Sequence, residues 1–212
     1  KKFGKFLLWT AIFGGIASAI LYFTMFWIWV VPSDDPLMSA SIEPSLSPGD
    51  VILLMHLGKR GYGELVRCVD PDEPRRFVIG RIAAESGDNL VIDNGRLIVN
   101  GKNVSFEYAC SNRNISVKDP TTGSPVDMLC NIEELGAVSH KTAIRPSQEG
   151  EAPITRTVQP GHVFLVSDNR FYPADSRVYG SVPIESCDSR VLFRFWSAAG
   201  FSDVDNRFTI VY

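Results

Sequence analysis

Twenty-six consecutive residues, Phe6 to Val31, carry no charge. Inside hydrocarbon every backbone amide must find its partner within the segment, so such a run can cross a bilayer only as a helix. A helix of that length spans roughly 39 Å, enough to cross with some tilt. Trp9, Trp27 and Trp29 lie near its two ends, where amphipathic rings favour the interface. Lys1, Lys2 and Lys5 precede it, and Asp34 and Asp35 follow it. The positive-inside rule therefore predicts residues 1–5 as a cytoplasmic basic end, 6–31 as a single transmembrane helix and residues 32–212 outside the cytoplasm, on the periplasmic side in a bacterium. A cleaved secretory signal would carry a shorter apolar region, about 7–15 residues, and a small-residue cleavage site. Here the run ends in Trp-Ile-Trp-Val-Val-Pro. Membrane lipid is thus one expected partner. Gly14 with Ser18 and Gly15 with Ala19 put small residues four apart on one helix face, a strip predicted to pack against a membrane-protein partner.

Residues 32–212 are enough for one core. No long helical period is visible, and short apolar runs alternate with turn signals. Val51–Met55, Phe77–Ile82, Asn89–Ile92, Arg96–Val99, His162–Val166 and Val191–Trp196 read as strands. Asp93-Asn94-Gly95 between two of them is a hairpin signal, because both central residues must reach positive φ. The pattern predicts a mainly β domain with a coiled or barrel-like sheet. Residues 108–160, polar and weakly periodic, read as a long insertion within that domain, with room for a hairpin of its own. A net charge of −3 offers no basic field for nucleic acid. The four cysteines fit neither a CxxC pair nor a zinc site, and no metal or cofactor is implied. Cys110 and Cys130 can pair in an oxidising compartment or remain reduced, whereas Cys68 and Cys187 read as separate free thiols.

Four stretches occur in a telling order. They are Ser39-Ala-Ser41-Ile-Glu-Pro44-Ser45-Leu46 with Pro48-Gly49-Asp50, Phe77-Val-Ile-Gly80-Arg81, Asn94-Gly-Arg-Leu-Ile-Val-Asn100-Gly101, and Gly161-His-Val-Phe-Leu-Val-Ser167-Asp168-Asn169-Arg170 with Ala174-Asp175-Ser176-Arg177. Behind an anchor, this set resembles signal peptidase I, the membrane-anchored Ser/Lys protease that removes signal peptides. The resemblance implies that Ser41 falls on the nucleophile and Ser39 on a position that helps bind the oxyanion. It gives Arg81, Asp168, Asn169, Arg170, Asp175, Ser176 and Arg177 supporting places around them.

A serine hydroxyl needs a base, and a lysine serves only where burial lowers its pKa. The lysine expected before Arg81 is Gly80 here. The hydroxyl that would orient it falls at Pro173. Arg81 stays protonated and cannot take its place. Loss of a base together with its orienting group predicts a degenerate member without normal Ser/Lys proteolysis. Such a chain would act as a subunit or peptide-binding module of a membrane complex and hold signal peptides or other extended peptides along a sheet edge. The alternative is an active signal peptidase with an unrecognised base.

Overall fold

The structure is a computed structural model that describes residues 2–103, 106–145 and 152–211. It opens with helix α1, Lys2–Met25, of which Phe3–Met25 is long and apolar enough to cross a membrane. The apolar run does not stay helical to Val31, as its hydropathy predicts. Phe26–Val30 is strand β1, paired antiparallel with β2 (Val51–Met55) from Phe26↔Met55 to Val30↔Val51. The physical reason lies in the residues: Phe-Trp-Ile-Trp-Val is aromatic and β-branched, and a neighbouring strand supplies its backbone partners.

A short helix α2, Pro36–Ile42, follows. Asp35 caps it by accepting from the Met38 amide at 3.0 Å, and Pro36 occupies its first turn, where a missing amide costs nothing. The strands that follow are β3 (Leu65–Val69), β4 (Phe77–Ala84), β5 (Asn89–Asp93), β6 (Arg96–Val99), β7 (Lys102–Asn103), β8 (Phe106–Lys118), β9 (Pro125–Leu135), β10 (Val138–Ile144), β11 (Ile154–Thr157) and β12 (His162–Val166). Helix α3 (Ser176–Tyr179) then leads to β13 (Val182–Pro183), β14 (Cys187–Trp196) and β15 (Thr209–Ile210). The main sheet runs β1-β2-β14-β3-β4-β12-β13, with β15 on β14. Two smaller sheets run β11-β5-β6-β7 and β10-β9-β8. The mainly β expectation holds. Irregular register in the β14 pairings, of the kind that coils a sheet, occurs against both β2 and β3. The β5–β6 turn carries positive φ at both Asn94 (47°) and Gly95 (78°), as that dipeptide requires.

The polar insertion is more ordered than its composition predicts: β8, β9 and β10 form an antiparallel meander, while β11 returns to pair with β5. Residues 146–151 of the insertion, like Lys1 of the basic end, lie outside the described residues. Cys68 and Cys187 are not free thiols. They face each other across β3 and β14 and are bonded, as are Cys110 and Cys130. Sequence distance hid the first pair, because 119 residues separate the two cysteines.

One core cluster packs Met38, Ile42 and Leu46 on Ile52, Leu54 and Ile79, which fixes α2 over the main sheet. Each such buried side chain contributes about 1.5–3 kcal/mol. Ala40, on the same helix, packs with Val117, Met128 and Ala143, which seats the meander against α2. Gly14 and Gly15 have open space around them in the structure.

Candidate active site

Helix α2 ends at Ile42, so Ser41 lies in its last turn. The side chain is completely buried, and Oγ donates to the Met38 carbonyl at 2.7 Å. Ser39 is half-buried on the same helix. The loop after β12 closes on this turn: the Asn169 amide donates to the Ser41 carbonyl at 2.9 Å, and Asn169 Nδ2 donates to the Ala40 carbonyl at 2.9 Å. Two stretches far apart in sequence are thus brought together by two hydrogen bonds, neither of which involves the Ser41 hydroxyl.

Gly80 lies in the middle of β4, opposite Val66. A β-carbon there would come within 3.0 Å of Leu165 Cβ and 3.5 Å of the Val166 carbonyl. The space in which a lysine stem would begin is therefore already tight. Arg81, one residue on, pairs in a fork with Asp168: Nε to Oδ1 at 2.8 Å and Nη2 to Oδ2 at 2.9 Å. Its Nη1 donates to the Gly63 carbonyl at 2.6 Å. Burial alone would push the Asp168 carboxyl up, but the Arg81 charge and hydrogen bond hold it below the ordinary carboxylate range.

Asp175, Ser176 and Arg177 form a second unit. Asp175 caps α3, accepts the Ser167 amide at 2.7 Å and pairs with Arg177 Nη2 at 2.7 Å. Burial acts against ionisation of Asp175, and Arg177 overrides it, so its pKa is lowered. Ser176 Oγ accepts the Leu165 amide at 2.9 Å. This unit ties the Pro173 turn to β12 and offers no hydroxyl at position 173.

The Arg170 carbonyl accepts from Arg177 Nη1 at 2.7 Å, but the Arg170 side chain turns away from both units. It reaches the meander and pairs with Glu133, beside His140, whose Nε2 lies 3.2 Å from Glu133 Oε2 and 3.7 Å from Asp168 Oδ1. Glu133 and His140 are the two members of the site that sequence reasoning missed. Both are buried. Burial raises the Glu133 carboxyl and Arg170 more than offsets it, leaving it lowered. Burial, then Arg81, lowers the His140 pKa, so its imidazole is held neutral. Among the described residues its Nδ1 has no hydrogen-bond partner. A polar tract gave no sign of a buried Glu–His pair; only in the fold does β10 bury His140 and Thr142 and leave Lys141 between them exposed.

Glu43 sits two residues past Ser41, half-buried, on a cleft of about 350 Å³ shared with Ser47, Asp203 and Asn206. Burial, then Asp50, pushes its carboxyl up to about 7, against the pull of Lys118.

A helix long and apolar enough to cross a membrane, a coiled antiparallel sheet and buried Asp–Arg pairs make up the scaffold around this site. The family model of signal peptidases, peptidase S26, matches residues 7–196, and the chain belongs to that family. It is 25% identical over 169 residues to the mitochondrial ATP-independent inner membrane protease subunit 1a of Arabidopsis thaliana, covering 77% of this chain and 70% of that one. It is 29% identical over 165 residues to signal peptidase I of Bacillus caldolyticus, covering 76% and 78%. A crystal structure of a signal peptidase I from Enterococcus faecalis aligns over 63% of this chain and 97% of that chain, at 21% identity and a TM-score of 0.40.

Proposed function

We propose that this chain is a membrane-anchored member of the peptidase S26 family that has lost normal Ser/Lys proteolysis and serves as a subunit or peptide-binding module of a membrane complex. The observation that carries this reading is the state of the two catalytic positions. The Ser41 hydroxyl is buried and engaged by the Met38 carbonyl, and Gly80 has no side chain, with Leu165 crowding the place where one would start. Removing a base from such a unit costs several orders of magnitude in rate.

In this reading the lysines at the N-terminal end stay cytoplasmic and the β domain stands outside. Two disulfides favour that side, because thiols stay reduced in the cytosol. The open Gly14/Ser18 and Gly15/Ala19 strip is where a partner helix would pack. An exposed aromatic group, Trp196, Phe201 and Phe208, lies on or beside β14, two strands from β1, and would dip into the interface. The name of the Arabidopsis relative, a protease subunit, favours a role within an assembly.

A second reading keeps activity through an unrecognised base. His140, neutral, with Nε2 beside Glu133 and Asp168 and Nδ1 without a partner among the described residues, is the group that favours it. One assay separates the two: cleavage of a fluorogenic signal-peptide substrate in detergent by the wild type and by Ser41→Ala. The proposal expects no cleavage from either. Cleavage by the wild type that Ser41→Ala abolishes would overturn it.

A further inference from the structure

Strand β10 ends its sheet, with β9 on one side and no described strand along the other. The two-residue turn Gly136–Ala137 closes the β9–β10 hairpin at the pair Leu135↔Val138. Backbone groups alternate along an antiparallel pair, so the even-numbered residues of β10 turn theirs toward β9 and the odd-numbered ones turn theirs away. Ala143 obeys this parity. Its amide donates outward to the Asp168 carbonyl at 2.9 Å, and its carbonyl accepts from the Arg170 amide at 2.8 Å. Ser139 and Lys141 must then point outward too. On that side the Lys141 carbonyl receives the Ser45 hydroxyl at 3.4 Å, a long contact.

A cleft of about 520 Å³ lies against this stretch. Ser139, Lys141, Ile132 and Tyr108 line one side, and Ile210 and Val211 the other. Ile132 pairs with Lys141 across the hairpin and Tyr108 pairs with Ile132, so the three share one face of the meander. His140, its side chain buried and its Nδ1 unpartnered among the described residues, also borders the cleft. Lys141 is exposed there and makes no ion pair among the described residues. Asp205 and Arg194, the latter paired with Asp50, also line the cleft, but beside β10 the groups are edge amides, the apolar Ile132, Ile210 and Val211, and the Lys141 ammonium. Together they describe what fits along that edge: a strand with apolar side chains and an acidic one beside Lys141.

We infer that the cleft along β10 is a peptide site, where an extended segment of a partner polypeptide adds as a strand to Ser139 and Lys141 and sets an acidic side chain against the Lys141 ammonium. The cleft reaches Pro44 and Ser45 in the loop that leaves α2, but neither Ser41 nor Gly80 lines it. Main-chain hydrogen bonds supply the affinity in such an arrangement, and the flanking pockets supply the preference. The inference rests on the reading of the chain as a peptide-holding module and adds the place and chemistry.

The test uses the full chain in detergent micelles and two fluorescein-labelled ten-residue probes, one alternating valine with glutamate and one alternating valine with lysine. Fluorescence anisotropy should show the glutamate probe binding, and the lysine probe binding at least tenfold more weakly. Ser139→Pro removes an outward amide and leaves the β9 ladder intact, so the glutamate probe should weaken about tenfold or more. Lys141→Glu should reverse the preference between the probes. Hydrogen exchange should slow at residues 139–141 when the glutamate probe is added. Should Ser139→Pro not fold, Lys141→Glu and the exchange data decide alone. Absence of binding by the wild type, or binding that neither variant changes, overturns the inference. Cleavage of the signal-peptide substrate would overturn the proposed function and leave this edge test standing, so the two fail separately.

Discussion

Arg81 and Asp168 meet in a two-pronged ion pair, 2.8 and 2.9 Å long, in which neither residue is exposed. Removing one partner from such a pair leaves a buried charge without compensation. Asp168→Asn should therefore lower unfolding stability by about 3–5 kcal/mol, read as a shift in the urea midpoint. A double change, Arg81→Met with Asp168→Leu, should recover much of that loss. The pH dependence follows from the lowered Asp168 pKa. Its contribution is complete above the ordinary aspartate value and disappears as pH falls through the folded value. An unchanged midpoint for Asp168→Asn would mean that the pair does not hold β4 to the loop after β12.

Restoring the family lysine should not restore a peptidase. At Gly80 the β-carbon meets Leu165 Cβ at 3.0 Å, both within a packed sheet. Gly80→Lys should cost about 1–3 kcal/mol through overpacking, visible as a lowered melting temperature. Pro173 still supplies no hydroxyl to orient the new amine, so the fluorogenic substrate should stay intact. Turnover by Gly80→Lys alone would show that the site needs nothing further.

The cysteines give a prediction that sequence reading had partly reversed. Alkylation of the denatured, unreduced chain should label none of Cys68, Cys110, Cys130 and Cys187, and all four after reduction. Paired replacement of Cys68 and Cys187 by Ala should cost about 2–5 kcal/mol, since the bridge closes a loop of over a hundred residues.

What the sequence disclosed follows a physical division. Apolar strands bounded by well-marked turns were legible: Val51–Met55 with period-two burial, Phe77–Ile82 buried almost throughout, and the Asn94–Gly95 hairpin all appear where the pattern puts them. Leu65–Val69 was not, because Arg67 interrupts its apolar run. Its guanidinium is buried between Asp188 and the rings of Trp29 and Phe77, 5.3 and 4.3 Å away. The end of α1 was missed because hydropathy treats a spanning helix and an aromatic strand alike. Around the candidate site, the partners close in sequence, Asp175 with Arg177, and those within family motifs were readable. Glu133 and His140 reach Asp168 and Arg170 only through the folding of the meander, and no local pattern records that approach.

Glu43 offers the last test. Its carboxyl is held near 7, mainly by burial and then by Asp50, so the folded chain keeps the proton more tightly than the unfolded chain. Below the ordinary glutamate value both states are protonated and nothing is lost. As pH rises from about 4.5 to about 7 the folded state is progressively penalised, and above that the penalty is complete. Glu43→Gln removes the charge and keeps the shape. It should leave the melting temperature unchanged at pH 4 and raise it at pH 8 by about 2–4 °C, on the order of 1 kcal/mol once solvent screening is allowed for. Thermal scans of both proteins across that range decide the matter. An equal shift at both pH values would assign the effect to packing in the cleft with Ser47 and Asp203, and a loss of stability at pH 8 would show that Lys118 outweighs burial and Asp50.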